Sequence, residues 1–270
     1  MGRVRIPLTF AAFAALTIAA AAPRSAWSPI GAAAAYAQPT ATEVPLSVAG
    51  GWLIVPVQTA DGRSLRFALH TAIATSLIKA SVAGDDPAAL GLTLAGSSDP
   101  FVDMAVYDDD AFERDGTRID GFLGLQLLGD VDVLIDAPND RMLLKPIGRR
   151  VEWPGVDLAE PSRMRIYHGV ALRTEIEVEG QPFSATINLA AAVNTATDGV
   201  AHKTGVAVGS PATVRIGSAN HTMALEFGST PILDRWDPDG AGFVAFGAAL
   251  AVECAVSISY VHQELRTCVR

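Results

Sequence analysis

His70 and Asn188 stand at equivalent places in two segments that repeat each other 118 residues apart. The first reads Asp61-Gly62-Arg63-Ser64-Leu65-Arg66-Phe67-Ala68-Leu69-His70-Thr71-Ala72-Ile73, and the second reads Glu179-Gly180-Gln181-Pro182-Phe183-Ser184-Ala185-Thr186-Ile187-Asn188-Leu189-Ala190-Ala191. They align without a gap. In each, an acidic residue and a glycine form a turn, a strand follows, and the strand runs into a short loop. An imidazole titrates near neutrality and can take a proton from water. A carboxamide can donate a hydrogen bond to a developing oxyanion. Brought face to face, the two could activate water. His70 has no carboxylate partner legible in the sequence, however. The economical expectation is that the two side chains satisfy each other or backbone groups, as buried polar groups must.

Other chemistry is poorly supported. His70, His168, His202, His221 and His262 are scattered, with no metal-binding spacing among them, so no metal or cofactor is expected. Gly209-Ser210 lacks the frame of a serine nucleophile. Residues 205–209 read as a strand, without the lysine of a phosphate loop. Asp108-Asp109-Asp110 reads as a solvated loop tip. Asp198-Gly199 reads as a turn, and Asp234 and Asp237-Pro238-Asp239-Gly240 as loop, with only an incomplete set of calcium ligands.

The elements that must position the repeated loops are strands. Trp52, Leu53, Ile54, Val55 and Val57 dominate residues 51–58, and residues 63–69 alternate as a return strand. Ala88-Ala89-Leu90-Gly91-Leu92 and Ile119-Asp120-Gly121-Phe122-Leu123-Gly124-Leu125-Gln126-Leu127-Leu128 follow. These stretches resemble the pepsin/retropepsin aspartic peptidases. In that family a loop carrying Asp-Thr/Ser-Gly follows such a hairpin, and an Asp-Gly-hydrophobic-Leu-Gly element packs behind it. The resemblance covers most of residues 50–270, more strongly in the first half. It implies an all-β fold: a two-lobed acid-protease-like β-barrel architecture with few short helices. It also places His70 and Asn188 where the two catalytic aspartates belong. Thr71 is retained and could tie the loops together, whereas Leu189 has lost that hydroxyl. Ala72 and Ala190 replace the family's glycine, and alanine would be strained at positive φ.

The family's paired carboxyls share a proton, one activating water and the other polarising the scissile carbonyl. Without either, the resemblance implies a protein that binds an extended peptide between its lobes rather than cleaving it. The alternatives are a hydrolase with a divergent site around His70 and Asn188, and a closed structural protein.

The second half repeats the first again near its end. Phe246-Gly247 aligns with Leu123-Gly124 at an interval of 123 residues, and Val256, Ile258 and Leu265 align with Val133, Ile135 and Met142. The turn near Pro138 maps to Val261, midway between Cys254 and Cys268. A hairpin there would face the two cysteines across adjacent strands, so a disulfide is expected, ahead of a pair of buried thiols. The junction is expected within residues 146–155, giving lobes of residues 38–148 and 149–270. Residues 1–37 read as a signal peptide, with Arg3 and Arg5, an apolar run over 6–22, and Ala35-Tyr36-Ala37 as the cleavage site, Ala20-Ala21-Ala22 being an earlier alternative. An uncleaved anchor is the second choice. Cleavage would remove Arg3, Arg5 and Arg24 and take the formal net charge from −9 to −12. A periplasmic or secreted monomer follows. Nucleic acid and anionic membranes would repel it, leaving an extended peptide or protein segment as the expected partner.

Overall fold

A computed structural model describes residues 41–84, 86–94, 104–107, 110–146, 153, 155–167, 171–228 and 231–269. The expected signal peptide, Asp108 and Asp109, and most of the expected junction lie outside these residues. Among the described residues, strands dominate and helices are short; the longest is Asp198–Thr204. No described helix is long and apolar enough to cross a membrane.

Each repeated hairpin forms as its pattern dictates. Trp52–Gln58 pairs antiparallel with Ser64–Leu69, and Ala171–Val178 with Gln181–Ile187. Val57, Leu65, Phe67 and Leu69 drive the first into the core, as Ile176, Val178, Phe183, Ala185 and Ile187 do the second. Each return strand then pairs parallel with a short strand from much later in its half. Leu69 is level with Leu123, and Ile187 with Phe246.

A third hairpin in each half meets its counterpart. Val131–Asp136 with Arg141–Pro146, and Val256–Ser259 with Glu264–Thr267, form one antiparallel sheet. Val133 faces Leu144, and 123 residues later Val256 faces Thr267, so the two hairpins share a register. The halves join where Val131–Asp136 pairs with Val256–Ser259.

The all-β fold expected from the sequence is present, but among the described residues no closed barrel is found. Among the described residues the strands lie in a thirteen-stranded sheet, a seven-stranded sheet and a two-stranded hairpin, none of which closes on itself. Strands such as Thr93–Leu94 and Thr195–Ala196 are too short to carry a ladder around a full circuit.

Three local expectations are corrected. Residues 205–209 form a loop rather than a strand, because Gly205 caps the preceding helix at positive φ and Gly209 is also left-handed. Asp198 opens that helix instead of making a turn, its carboxylate favoured beside the N-terminal amides. Asp234 lies in the helix Pro231–Trp236, not in a loop.

The Cys254–Cys268 disulfide is present, with Cα atoms 5.7 Å apart. Its cysteines are diagonal rather than directly opposite. The register sets Cys268 against Ala255, whose carbonyl accepts the Cys268 amide at 3.0 Å. The turn is centred between Val261 and His262, with Gln263 left-handed at φ 52°.

Candidate functional site

The backbone sets the two corners identically. His70 N–H donates to the Leu123 carbonyl at 2.9 Å, and Asn188 N–H donates to Phe246 at 2.8 Å. The helices Leu125–Leu128 and Ala248–Glu253 then close over the loops. Leu125 and Gln126 amides bond the Ile73 and Ala74 carbonyls, as Ala248 and Ala249 amides bond Ala191 and Ala192. Gly124 and Gly247 make this approach possible. A Cβ on Gly124 would sit 2.9 Å from the Thr75 carbonyl, and one on Gly247 would sit 2.3 Å from the Val193 carbonyl oxygen. Ser76 Oγ and Asn194 Oδ1 accept the amides of those glycines at 3.1 and 3.0 Å.

Thr71 ties one corner to the other. Its hydroxyl donates to the Ile187 carbonyl at 2.7 Å and accepts the Leu189 amide at 3.2 Å. These two residues flank Asn188, so the bonds bring the His70 and Asn188 loops together. Leu189 has no hydroxyl to return the bond; it is fully buried and packs into the main core. Neither Ala72 nor Ala190 has positive φ, so the strain expected from losing glycine is avoided.

The two side chains meet different surroundings. His70 is 7 % exposed, and its ring stands edge-on to Phe122 with centroids 5.4 Å apart. Its Nδ1 lies 3.3 Å from the Ala72 amide and accepts from it. Burial, aided by the nearby Arg114 charge and opposed by a backbone hydrogen bond, holds the His70 pKa down to about 4. The imidazole is therefore neutral at pH 7. Asn188 Oδ1 is buried and has no hydrogen-bond partner among the described residues. The expected pairing with the other side chain or with backbone is therefore met by a backbone amide at His70 Nδ1 and is not made at this oxygen. Leu189, Ala190 and Ala191 bring no side-chain donor to its loop.

Arg114 is the residue the sequence reading missed. It lies in a two-stranded hairpin, Glu113–Arg114 with Thr117–Arg118. Its guanidinium donates to the Ala190 carbonyl at 2.8 Å and lies 4.6 Å from the Trp52 ring centroid. Burial pulls its pKa down, with Asp115 opposing. Trp52, Phe112 and Phe122 form an apolar cluster that also takes in Ala190. Beside it, Gly51 comes so close to the second loop that a Cβ there would meet Ala192 Cβ at 2.4 Å. The Asp115-Gly116 turn was the available sequence signal for this hairpin. Arg114→Ala is expected to destabilise the fold by about 1–2 kcal/mol, since a charge-assisted bond and a cation–π contact are lost together. Denaturant unfolding checks this. An Arg114→Lys variant as stable as the parent would show that the planar guanidinium contacts contribute little.

The other carboxylates have local duties. Asp120 accepts the Arg66 amide at 2.7 Å. Asp237 accepts the Thr197 hydroxyl at 2.6 Å and the Gly242 amide. Two cavities among the described residues lie elsewhere. One is lined by residues including Arg173, Lys203 and Trp236, the other by residues including Asp132, Trp153 and His262.

No protein-family model matches this sequence, and no curated protein matches it. Among solved structures, the chain is similar to an aspartic proteinase from Irpex lacteus. The TM-score is 0.58 at 10 % identity, covering 85 % of this chain and 97 % of that one. At this identity the likeness establishes the fold alone: a mostly β, pepsin-like architecture.

Proposed function

We propose that this chain is an exported protein of aspartic-proteinase fold that binds an extended peptide between its lobes without cleaving it. The observation that carries the reading is the Thr71 tie, which draws together two corners bearing an imidazole and a carboxamide. A shared-proton carboxyl pair cannot operate with these groups. A neutral imidazole and an amide can still exchange hydrogen bonds with a peptide backbone. The strand Met104–Tyr107 supports docking by strand addition. Among the described residues it pairs on one side only, and Val106 and Tyr107 are exposed. Tyr107 leads through Phe112 and Phe122 to His70, with ring centroids 6.4, 5.5 and 5.4 Å apart in turn.

The matched corners and hairpins support an origin by duplication of one lobe. A disulfide, an apolar N-terminal run and a cleavage motif support export to the periplasm or beyond. The folded chain is incubated with casein and a peptide library from acid to neutral pH. No new fragments are expected, together with saturable peptide binding. Turnover that disappears in His70→Ala would establish a hydrolase instead. Neither turnover nor binding would establish a closed structural protein.

A further inference from the structure

Away from the corners, the disulfide has a third chemical partner. His221 lies on the strand Ala219–Ala224 and is 3 % exposed. A ring nitrogen of His221 and both sulfurs of Cys254 and Cys268 all lie within 4.8 Å of one another. Three separate elements bring them there: the end of the helix Ala248–Glu253, the residue after Glu264–Thr267, and an edge hairpin. His221 Nε2 lies 2.8 Å from the hydroxyl of Thr267, which is fully buried.

We propose that reduction of this disulfide creates a zinc site with Cys254, Cys268 and His221 as ligands. Two thiolates and one imidazole are a donor set that Zn²⁺ favours. Bond lengths of about 2.3 Å to sulfur and about 2.0 Å to nitrogen put tetrahedral ligands roughly 3.5–3.8 Å apart. The sulfurs must separate to that spacing once their bond is broken. From separations of at most 4.8 Å, the imidazole nitrogen has to close by up to about 1.3 Å to reach that spacing. The Thr267 hydroxyl or a water completes the four ligands.

The reductant is a dithiol. One of its thiolates attacks the sulfur of Cys268, the half-buried member of the pair, and Cys254 leaves as thiolate. The second thiol of the reductant then releases Cys268 and closes its own disulfide. Two electrons pass to the protein, and both cysteines end as thiols. Zinc displaces their two protons to solvent and takes the neutral imidazole as its third ligand. The disulfide and the metal are therefore mutually exclusive occupants of one place.

The test compares the folded full chain, oxidised and after anaerobic treatment with a dithiol that is then removed. Zinc alone is titrated in competition with a chromogenic chelator, and Co²⁺ serves as the spectroscopic probe. The reduced chain is expected to bind one zinc per molecule, the oxidised chain none, and the Co²⁺ form to show thiolate charge-transfer bands. His221→Gln, which keeps a polar group for Thr267, is expected to bind zinc at least tenfold more weakly. Loss of zinc uptake in the reduced parent would overturn the proposal, as would unchanged affinity in His221→Gln. Should that variant fail to fold, imidazole NMR of the reduced parent decides. A His221 signal that moves on zinc addition supports the site, and one that stays in place removes it.

Discussion

Thr71→Val is expected to destabilise the folded chain by about 2–6 kcal/mol, because one isosteric change orphans two backbone groups at once. The Thr71 hydroxyl serves the Ile187 carbonyl and the Leu189 amide, and Thr71 itself is 1 % exposed. Each buried group left without a partner costs about 1–3 kcal/mol. Valine matches threonine in shape, so the loss comes from the missing hydroxyl and little from a cavity. Thr71→Ser retains the hydroxyl and is expected to recover most of the deficit. Denaturant unfolding of both variants measures this. A Thr71→Val protein within 1 kcal/mol of the parent would mean that the loops are held together by apolar packing instead.

Acidification should have a comparably large effect through His70. In the unfolded chain its imidazole titrates near the ordinary value of about 6.5, but in the folded chain only near 4. Above pH 6.5 both states hold it neutral, and its contribution is fully present. Between pH 6.5 and 4 the unfolded chain takes up a proton that the folded chain refuses, so stability falls as pH falls. Below pH 4 both states are protonated and the loss levels off. The total is about 3 kcal/mol. Burial raises the carboxyls of Asp130 and Asp132, which gives the opposite slope. The measurement is therefore the difference between the parent and His70→Asn across this range, in which those terms cancel. NMR titration of the imidazole is the direct check. A His70 midpoint near 6.5 would show that the corner is wetter than its packing against Phe122 implies, and the pH dependence would vanish.

The corners were legible because they rest on strong local signals. Asp61-Gly62 and Glu179-Gly180 are turn pairs, the return strands alternate, and Gly124 and Gly247 mark close backbone approach. Arg114 was not legible in the same way. Its hairpin is two residues per strand, too short for a period, and the carbonyl it holds lies 76 residues away. The Cys254–Cys268 pairing was readable from spacing, but its one-residue offset depends on the left-handed Gln263, which no pattern announces. The helix at Asp198 was misread because Gly199 suggests a turn. Asp198 at its start and Gly205 just past its end are the start and stop signals to weigh. No barrel closes among the described residues; family resemblance carries strand order and says nothing about whether short strands close a ring.

Four residue pairs, from Asp132 with Ser259 to Ile135 with Val256, carry the ladder from one half into the other. Rigid-body separation of the halves would have to break those rungs. Any breathing that admits a ligand should therefore take the form of a twist along a shared ribbon. Amide hydrogens of residues 132–135 and 256–259 are accordingly expected to exchange as slowly as the deepest core, even while the rims of the molecule move.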